Sequence, residues 1–164
     1  NYMQGASVAP AVIFMYLVLM RPDPSGRFLT TWSYPQVHAA TEDLAIFCYC
    51  VHLLRDVAED LTVGESGLVY LPADELERFG IIPRDLYKMR ERGSATDQYK
   101  QMAGAVAERA RRHLAKGREH MAAVVAVAEP PNGTALETLV STYERILNEL
   151  QDRQFDVFSP AKSA

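Results

Sequence analysis

Four side chains within nine residues of this 164-residue chain could do chemistry together: His52, Asp56, Glu59 and Asp60, in the word HLLRDVAED. On a helix His52, Asp56 and Asp60 fall within about 40° of each neighbour on one face, with Glu59 beside them. Three carboxylates so close repel one another and are costly on an otherwise apolar helix, so something positive must offset them. Arg55 is too near in sequence to reach that face easily. A divalent cation is the economical answer: hard oxygen donors, few of them from protein, suit Mg²⁺ bound together with substrate phosphates. The plainer reading is a solvated helix end whose acids pair with Lys or Arg from elsewhere, since a bare DxxED arises often by chance. Context favours the metal, because the helix is apolar for several turns and turns acidic just before a glycine-containing polar loop, as a cavity with a metal-lined mouth requires.

The elements that must position these residues are helical. Between Pro35 and Leu61 the chain has no further Pro and no Gly, which predicts one long helix. Leu44, Phe47, Val51, Leu54 and Ala58 form one face, and Ala45, Ile46, Tyr49 and Leu53 another, the pattern of a helix buried on every side. Tyr2 to Met20 has helical composition, with Pro10 marking a kink or a first turn. Its thirteen residues Val8 to Met20 are nearly unbroken apolar. They are too few for a membrane span of about 20 residues and have no basic flank or cleavage site, so they read as a buried helix or pocket wall, with shallow membrane contact left open.

RPDPSGRF (Arg21 to Phe28) reads as a loop, as does TVGESG (Thr62 to Gly67). A short helix Ala73 to Phe79 closes on Gly80, and another follows Pro83. Ser94 with Asp97 resembles a capping box opening a helix of about 30 residues to Glu129. EPPNG (Glu129 to Gly133) reads as a sharp stop, and Thr134 with Glu137 as a second box starting a helix through Tyr143 and Leu150. Strand patterns are absent, so the expected class is all-α.

Composition narrows the function. Seventeen Lys and Arg against 21 Asp and Glu, for a net charge of -4, offer no basic face for nucleic acid. Cys48 and Cys50, two residues apart, form no internal disulfide, which suits a reducing, cytoplasmic compartment. There is no glycine-rich phosphate loop, no nucleophile elbow and no zinc spacing of Cys and His, and Asn132-Gly133-Thr134 reads as a helix start rather than a glycosylation site.

LRDVAED (Leu54 to Asp60), VYLP (Val69 to Pro72) and DELERFG (Asp74 to Gly80) together resemble the second aspartate-rich motif of the squalene/phytoene synthase family and the loop after it. Tyr143-x-x-Ile146-Leu147 and Phe155-Asp156-Val157-Phe158 resemble that family's last helix and tail, so the likeness runs over essentially the whole chain. It implies a helical bundle of the isoprenoid synthase type that joins two prenyl diphosphates, farnesyl or geranylgeranyl, head to head through a cyclopropylcarbinyl diphosphate. Squalene, dehydrosqualene or phytoene follows. Mg²⁺, with Mn²⁺ as a substitute, would hold the diphosphates, and the use of NADPH stays open. Residue by residue, the resemblance gives Asp56 and Asp60 as metal ligands with Glu59 in support, and Arg55 as a group that holds the diphosphate or its aspartate neighbours. Tyr2 and Tyr143 match the family's pocket tyrosines, while Phe14, Ala45 and Tyr49 would line the prenyl tunnel. Each also has a reading as an ordinary core residue.

Some places depart from the family pattern. Tyr49 and His52 stand where Gln and Asn are usual, and histidine could bind diphosphate directly. Leu68 and Ser159-Pro160 replace basic residues, and GASVAPA (Gly5 to Ala11) adds a proline to the small-residue pocket segment. The family's first motif, DxxxD, does not occur in these residues, and Glu42-Asp43 lies on the same helix as Asp56. The resemblance therefore implies that residues 1–164 are the C-terminal half of one synthase domain, its N-terminal half removed, lost or supplied by a partner subunit. The alternatives are a non-catalytic relative serving as an assembly scaffold, and a protein whose Val8 to Met20 helix contacts lipid.

Overall fold

The computed structural model describes residues 3–63 and 67–160. A π-helical turn, Gln4–Val8, runs into α1 (Ala9–Leu19); β1 (Arg21–Pro22) and β2 (Phe28–Leu29) follow, then α2 (Tyr34–Asp60), α3 (Ala73–Arg78), α4 (Pro83–Arg92), α5 (Asp97–Val127) and α6 (Pro130–Asp152). The chain divides into two compact units. The first takes the chain up to Tyr49 together with Arg109–Glu144, and the second takes Cys50–Glu108 and the chain from Arg145 onward.

In the first unit Pro10 sits in the first turn of α1, where its missing N–H costs nothing, and the turn before it is widened so that the Ala9 N–H reaches the Gln4 carbonyl. Gln4 Nε2 donates to Glu42 Oε1 at 2.6 Å and Ser7 Oγ to the Ala45 carbonyl at 2.8 Å, tying this segment to α2. The stretch Val8 to Met20, expected as a buried helix or pocket wall, is buried along one face. Val12, Met15, Val18 and Leu19 are buried, but Ile13 and Leu17 are 66% and 61% exposed. The helix is apolar on every side, and among the described residues it is packed on one side.

The expected loop at Arg21 to Phe28 is a small antiparallel hairpin, pairing Arg21 with Leu29 and Pro22 with Phe28, so strands are not wholly absent. Its turn is built by Asp23, whose Oδ1 accepts the N–H groups of Ser25 (2.8 Å) and Arg27 (2.9 Å), with Gly26 at φ +81°. The predicted stop at EPPNG is also corrected: α6 begins at Pro130. Prolines fit a first helical turn, whose N–H groups have no intrahelical partner, so Glu129 precedes the helix and its carbonyl accepts Asn132 N–H (2.9 Å) and Gly133 N–H (3.0 Å).

The second unit is organised around the buried Leu54, Leu86, Met89, Tyr99, Met102 and Leu147. Gly80 and Gly93, both at φ +67°, end α3 and α4. Because Gly93 and Ser94 bond back to the Arg90 and Met89 carbonyls, Ser94 belongs to the end of α4. The cap of α5 is Thr96, whose Oγ1 accepts the Tyr99 N–H at 3.3 Å, two residues beyond the expected position.

After α6 the backbone turns through Gln154 and Phe155, at φ +52° and +59°, and brings Asp156 against the α4–α5 junction. Its carboxylate accepts the N–H groups of Ala95 (3.0 Å), Phe158 (3.2 Å) and Ser159 (3.1 Å) and the Ser159 hydroxyl (2.7 Å). Burial raises the Asp156 pKa, but these four hydrogen bonds outweigh it and hold the pKa below the usual carboxylate value. A depressed carboxylate contributes stability above its unfolded pKa of about 3.9 and loses it as pH falls through the folded value. Asp156→Ala is expected to cost about 1–3 kcal/mol by chemical denaturation at pH 7, because three N–H groups lose their acceptor, and to shrink that difference below about pH 4.

Candidate active site

The last nine residues of α2, about two and a half turns in the second unit, carry His52, Arg55, Asp56, Glu59 and Asp60. A helix C-terminus is the negative end of the helix dipole, and acids there cost about 0.3–1 kcal/mol each. Even so, the last turn of α2 has no basic residue. The expectation that Arg55 cannot easily reach the acidic face is overturned. Its long stem folds along the helix surface, so that Nε contacts Asp56 Oδ1 and Nη2 donates to Oδ2 at 2.7 Å. His52 Nδ1 lies 2.7 Å from the same Oδ2 and 3.1 Å from Arg55 Nη2.

These contacts split the two aspartates. The Arg55 hydrogen bond, opposed by burial, leaves the Asp56 pKa lowered. At Asp60, burial and then the Asp56 charge push the pKa up, Glu59 adds to this and His52 opposes it. Asp60 is thus a carboxylate in a negative field at a negative helix end. Asp60→Asn is expected to raise the stability of the metal-free chain by about 0.5–1 kcal/mol, measured by urea denaturation at pH 7.

The chain beyond α2 is drawn back onto this end. Thr62 N–H and Oγ1 reach the Glu59 carbonyl (2.8 and 2.7 Å), and Leu68 N–H reaches the Asp60 carbonyl at 2.8 Å. Gly67 allows the return. At φ +66°, a Cβ on it would lie 2.6 Å from the Leu61 carbonyl oxygen and 2.8 Å from the Tyr87 hydroxyl. Among the described residues no three His, Cys, Asp or Glu side chains already converge as a metal cage. Carboxylates spaced along one helix are instead the donor set for a hard cation that keeps water and substrate oxygens in its shell, and Asp56, Asp60 and Glu59 could serve it.

The first unit holds an apolar cavity of about 230 Å³. Ser7, Ala11, Phe14 and Met15 line one part of it, Thr41, Leu44, Ala45 and Cys48 of α2 another, and Leu136, Leu139, Val140 and Tyr143 of α6 the rest. The Thr41 hydroxyl is spent on the Val37 carbonyl at 2.6 Å, and burial pushes the Cys48 thiol up to about 12, so neither presents a charge. Three predicted residues, Phe14, Ala45 and Tyr143, therefore meet at one cavity. Tyr49 is half-buried and is not in its wall, and Tyr2 lies outside the described residues. Apart from Tyr143 the α6 wall was missed, although Leu136, Leu139, Val140 and Tyr143 follow the i, i+3, i+4, i+7 spacing of one helix face.

The sequence model of the squalene/phytoene synthases matches residues 5–163. The chain belongs to the squalene/phytoene synthase family. Among curated relatives, the phytoene synthase of Arthrospira platensis is 31% identical over 157 residues, covering 93% of this chain and 47% of that protein. The chloroplastic phytoene synthase 1 of Arabidopsis thaliana is 28% identical over 158 residues, 96% of this chain and 34% of the relative. The chain thus spans between a third and a half of the length of these relatives. The crystal structure of squalene synthase HpnC from Alicyclobacillus acidocaldarius superposes with a TM-score of 0.65 at 18% identity, over 98% of this chain and 51% of that one. The family's all-α isoprenoid synthase fold is therefore present here. By length and mean hydropathy α2 is the one described helix able to cross a membrane, but 56% of that stretch is buried within the protein, as befits a core helix.

Proposed function

We propose that this chain supplies the second acidic helix and part of the prenyl-binding wall of a head-to-head prenyl synthase of phytoene or squalene type. The observation that carries this reading is the placing of Asp56, Glu59 and Asp60 at the dipole-negative end of α2, with no basic residue in the last turn, in a family member whose curated relatives are phytoene synthases.

Asp56 and Asp60 would hold Mg²⁺, with Glu59 in support, and the metal when bound would supply neutralisation of charge on the departing diphosphate. Arg55 presents a planar fork of donors suited to phosphate oxygens, and His52 a single N–H. Phe14, Ala45 and Tyr143 take apolar prenyl carbon into a wall without charged groups, which keeps water from a carbocation. The products follow the family's course, through a cyclopropylcarbinyl diphosphate to a phytoene- or squalene-type hydrocarbon.

The facing metal ligands come from polypeptide beyond these 164 residues, in the same protein or a partner subunit. Glu42 and Asp43 do not replace them. Glu42 receives Gln4, and Asp43 is held by His113 Nδ1 at 2.6 Å, both in the first unit. The scaffold alternative also loses one of its motives. Ser159 stands where the family has a basic residue, but its hydroxyl donates to Asp156 and lies 3.0 Å from the Gly93 carbonyl, a structural use of that position.

The test is Mg²⁺-dependent release of pyrophosphate, with formation of a C30 or C40 product, from farnesyl or geranylgeranyl diphosphate by the protein with its complementary half. Turnover abolished by chelation supports the reading. No release from either substrate overturns it.

A further inference from the structure

Both oxygens of the Asp56 carboxylate are already taken. Arg55 Nε contacts Oδ1, while Oδ2 receives Arg55 Nη2 and His52 Nδ1, each at 2.7 Å. A cation that binds Asp56 must share the carboxylate with the guanidinium or displace it, and two positive groups on one carboxylate repel each other. Arg55 is 40% exposed while the carboxylate it grips is only 14% exposed, so the arginine is the partner with room to move.

A displaced guanidinium next to a newly bound cation is poorly placed unless an anion joins them. The two-pronged geometry that fits a carboxylate also fits two oxygens of a phosphate. From this we propose that Arg55 is an exchange group: it neutralises Asp56 while the site is empty and moves to the diphosphate when a metal–diphosphate complex arrives. The free cation is thereby disfavoured and the complex favoured. The inference rests on the assignment of Asp56 as a metal ligand made above, and it adds an order of events and a coupling that a simple diphosphate-binding arginine would not have. His52 remains beside Arg55, with Nη2 3.1 Å from its Nδ1, and steadies the carboxylate during the exchange.

The probes are free Mn²⁺ and the preformed one-to-one Mn²⁺–pyrophosphate complex, with binding followed by water-proton relaxation in the wild type, R55Q, R55K and D56N. Far-UV circular dichroism verifies that each variant is folded. Exchange predicts opposite changes in R55Q: free Mn²⁺ binds several-fold more tightly than to wild type, and the complex about tenfold more weakly. R55K, with a charge but no fork, falls between. If R55Q weakens the complex and leaves free Mn²⁺ unchanged, Arg55 is a plain diphosphate ligand and the exchange is overturned. If R55Q weakens both, Arg55 only holds Asp56 in place, which also overturns it. If wild type and D56N bind free Mn²⁺ and the complex equally, the metal assignment fails first, a result distinct from failure of the exchange alone.

Discussion

Asp56→Asn, in the protein with its complementary half, is expected to lower Mg²⁺-dependent turnover by about 10³-fold, equivalent to about 4 kcal/mol of transition-state stabilisation. Asparagine keeps the size of the side chain, and its one oxygen, set in the place of Oδ2, can accept from Arg55 Nη2 and His52 while the contact with Arg55 Nε is lost. What it loses is the negative charge that a hard cation requires. The loss should fall mainly on kcat, because the metal acts on charge that develops as the diphosphate leaves. Steady-state rates of pyrophosphate release at saturating Mg²⁺ measure it. A change of less than about tenfold would mean that Asp56 is only a partner of Arg55, as on any solvated helix end.

Gly117→Val is expected to destabilise the protein by about 3 kcal/mol, a large effect for three added carbons. Glycine within a long helix is ordinarily a weak point, and alanine there would gain up to about 1 kcal/mol from propensity. At Gly117 that gain is overridden, because a Cβ would sit 2.6 Å from Leu44 Cδ2 and, more tellingly, 3.1 Å from the Leu44 backbone nitrogen. A side-chain tip can rotate away, but the backbone of α2 cannot without moving the helix. Leu44 also lines the apolar cavity, so the displaced side chain encroaches on the space assigned to prenyl carbon. Denaturant titration measures the stability loss. The same variant should raise KM for the prenyl diphosphate at temperatures where it stays folded. A neutral effect on stability would show that α5 does not approach α2 as closely as described.

Much of this was legible in the sequence, for identifiable reasons. The acidic face of α2 could be read because i, i+4 spacing maps directly onto a helix surface, and the long helix because nothing in it breaks the pattern. Phe14, Ala45 and Tyr143 came from resemblance, and the structure adds that they share one cavity. The grip of Arg55 on Asp56 was hidden, since angular spacing describes where a Cβ points and says little about where a flexible four-bond stem ends. The start of α6 was misplaced because two prolines signal both a stop and a permitted first turn, and only the packing of Asn132, whose Nδ2 donates to the Val18 carbonyl at 3.3 Å, distinguishes them. Which face of α1 is exposed was equally hidden. Its composition is apolar on every side, so periodicity carries no information about which face finds a partner.

The central claim is that the acidic end of α2 holds the metal that carries the diphosphate. The most direct measurement is a crystal structure of the protein with its complementary half, grown with Mn²⁺ and a non-hydrolysable farnesyl thiodiphosphate, with the anomalous signal locating the metal. The account predicts Mn²⁺ on the carboxylates of Asp56 and Asp60, with Arg55 moved from Asp56 to the thiodiphosphate. Mn²⁺ bound elsewhere, with Arg55 still on Asp56 and the thiodiphosphate held by other residues, would contradict it.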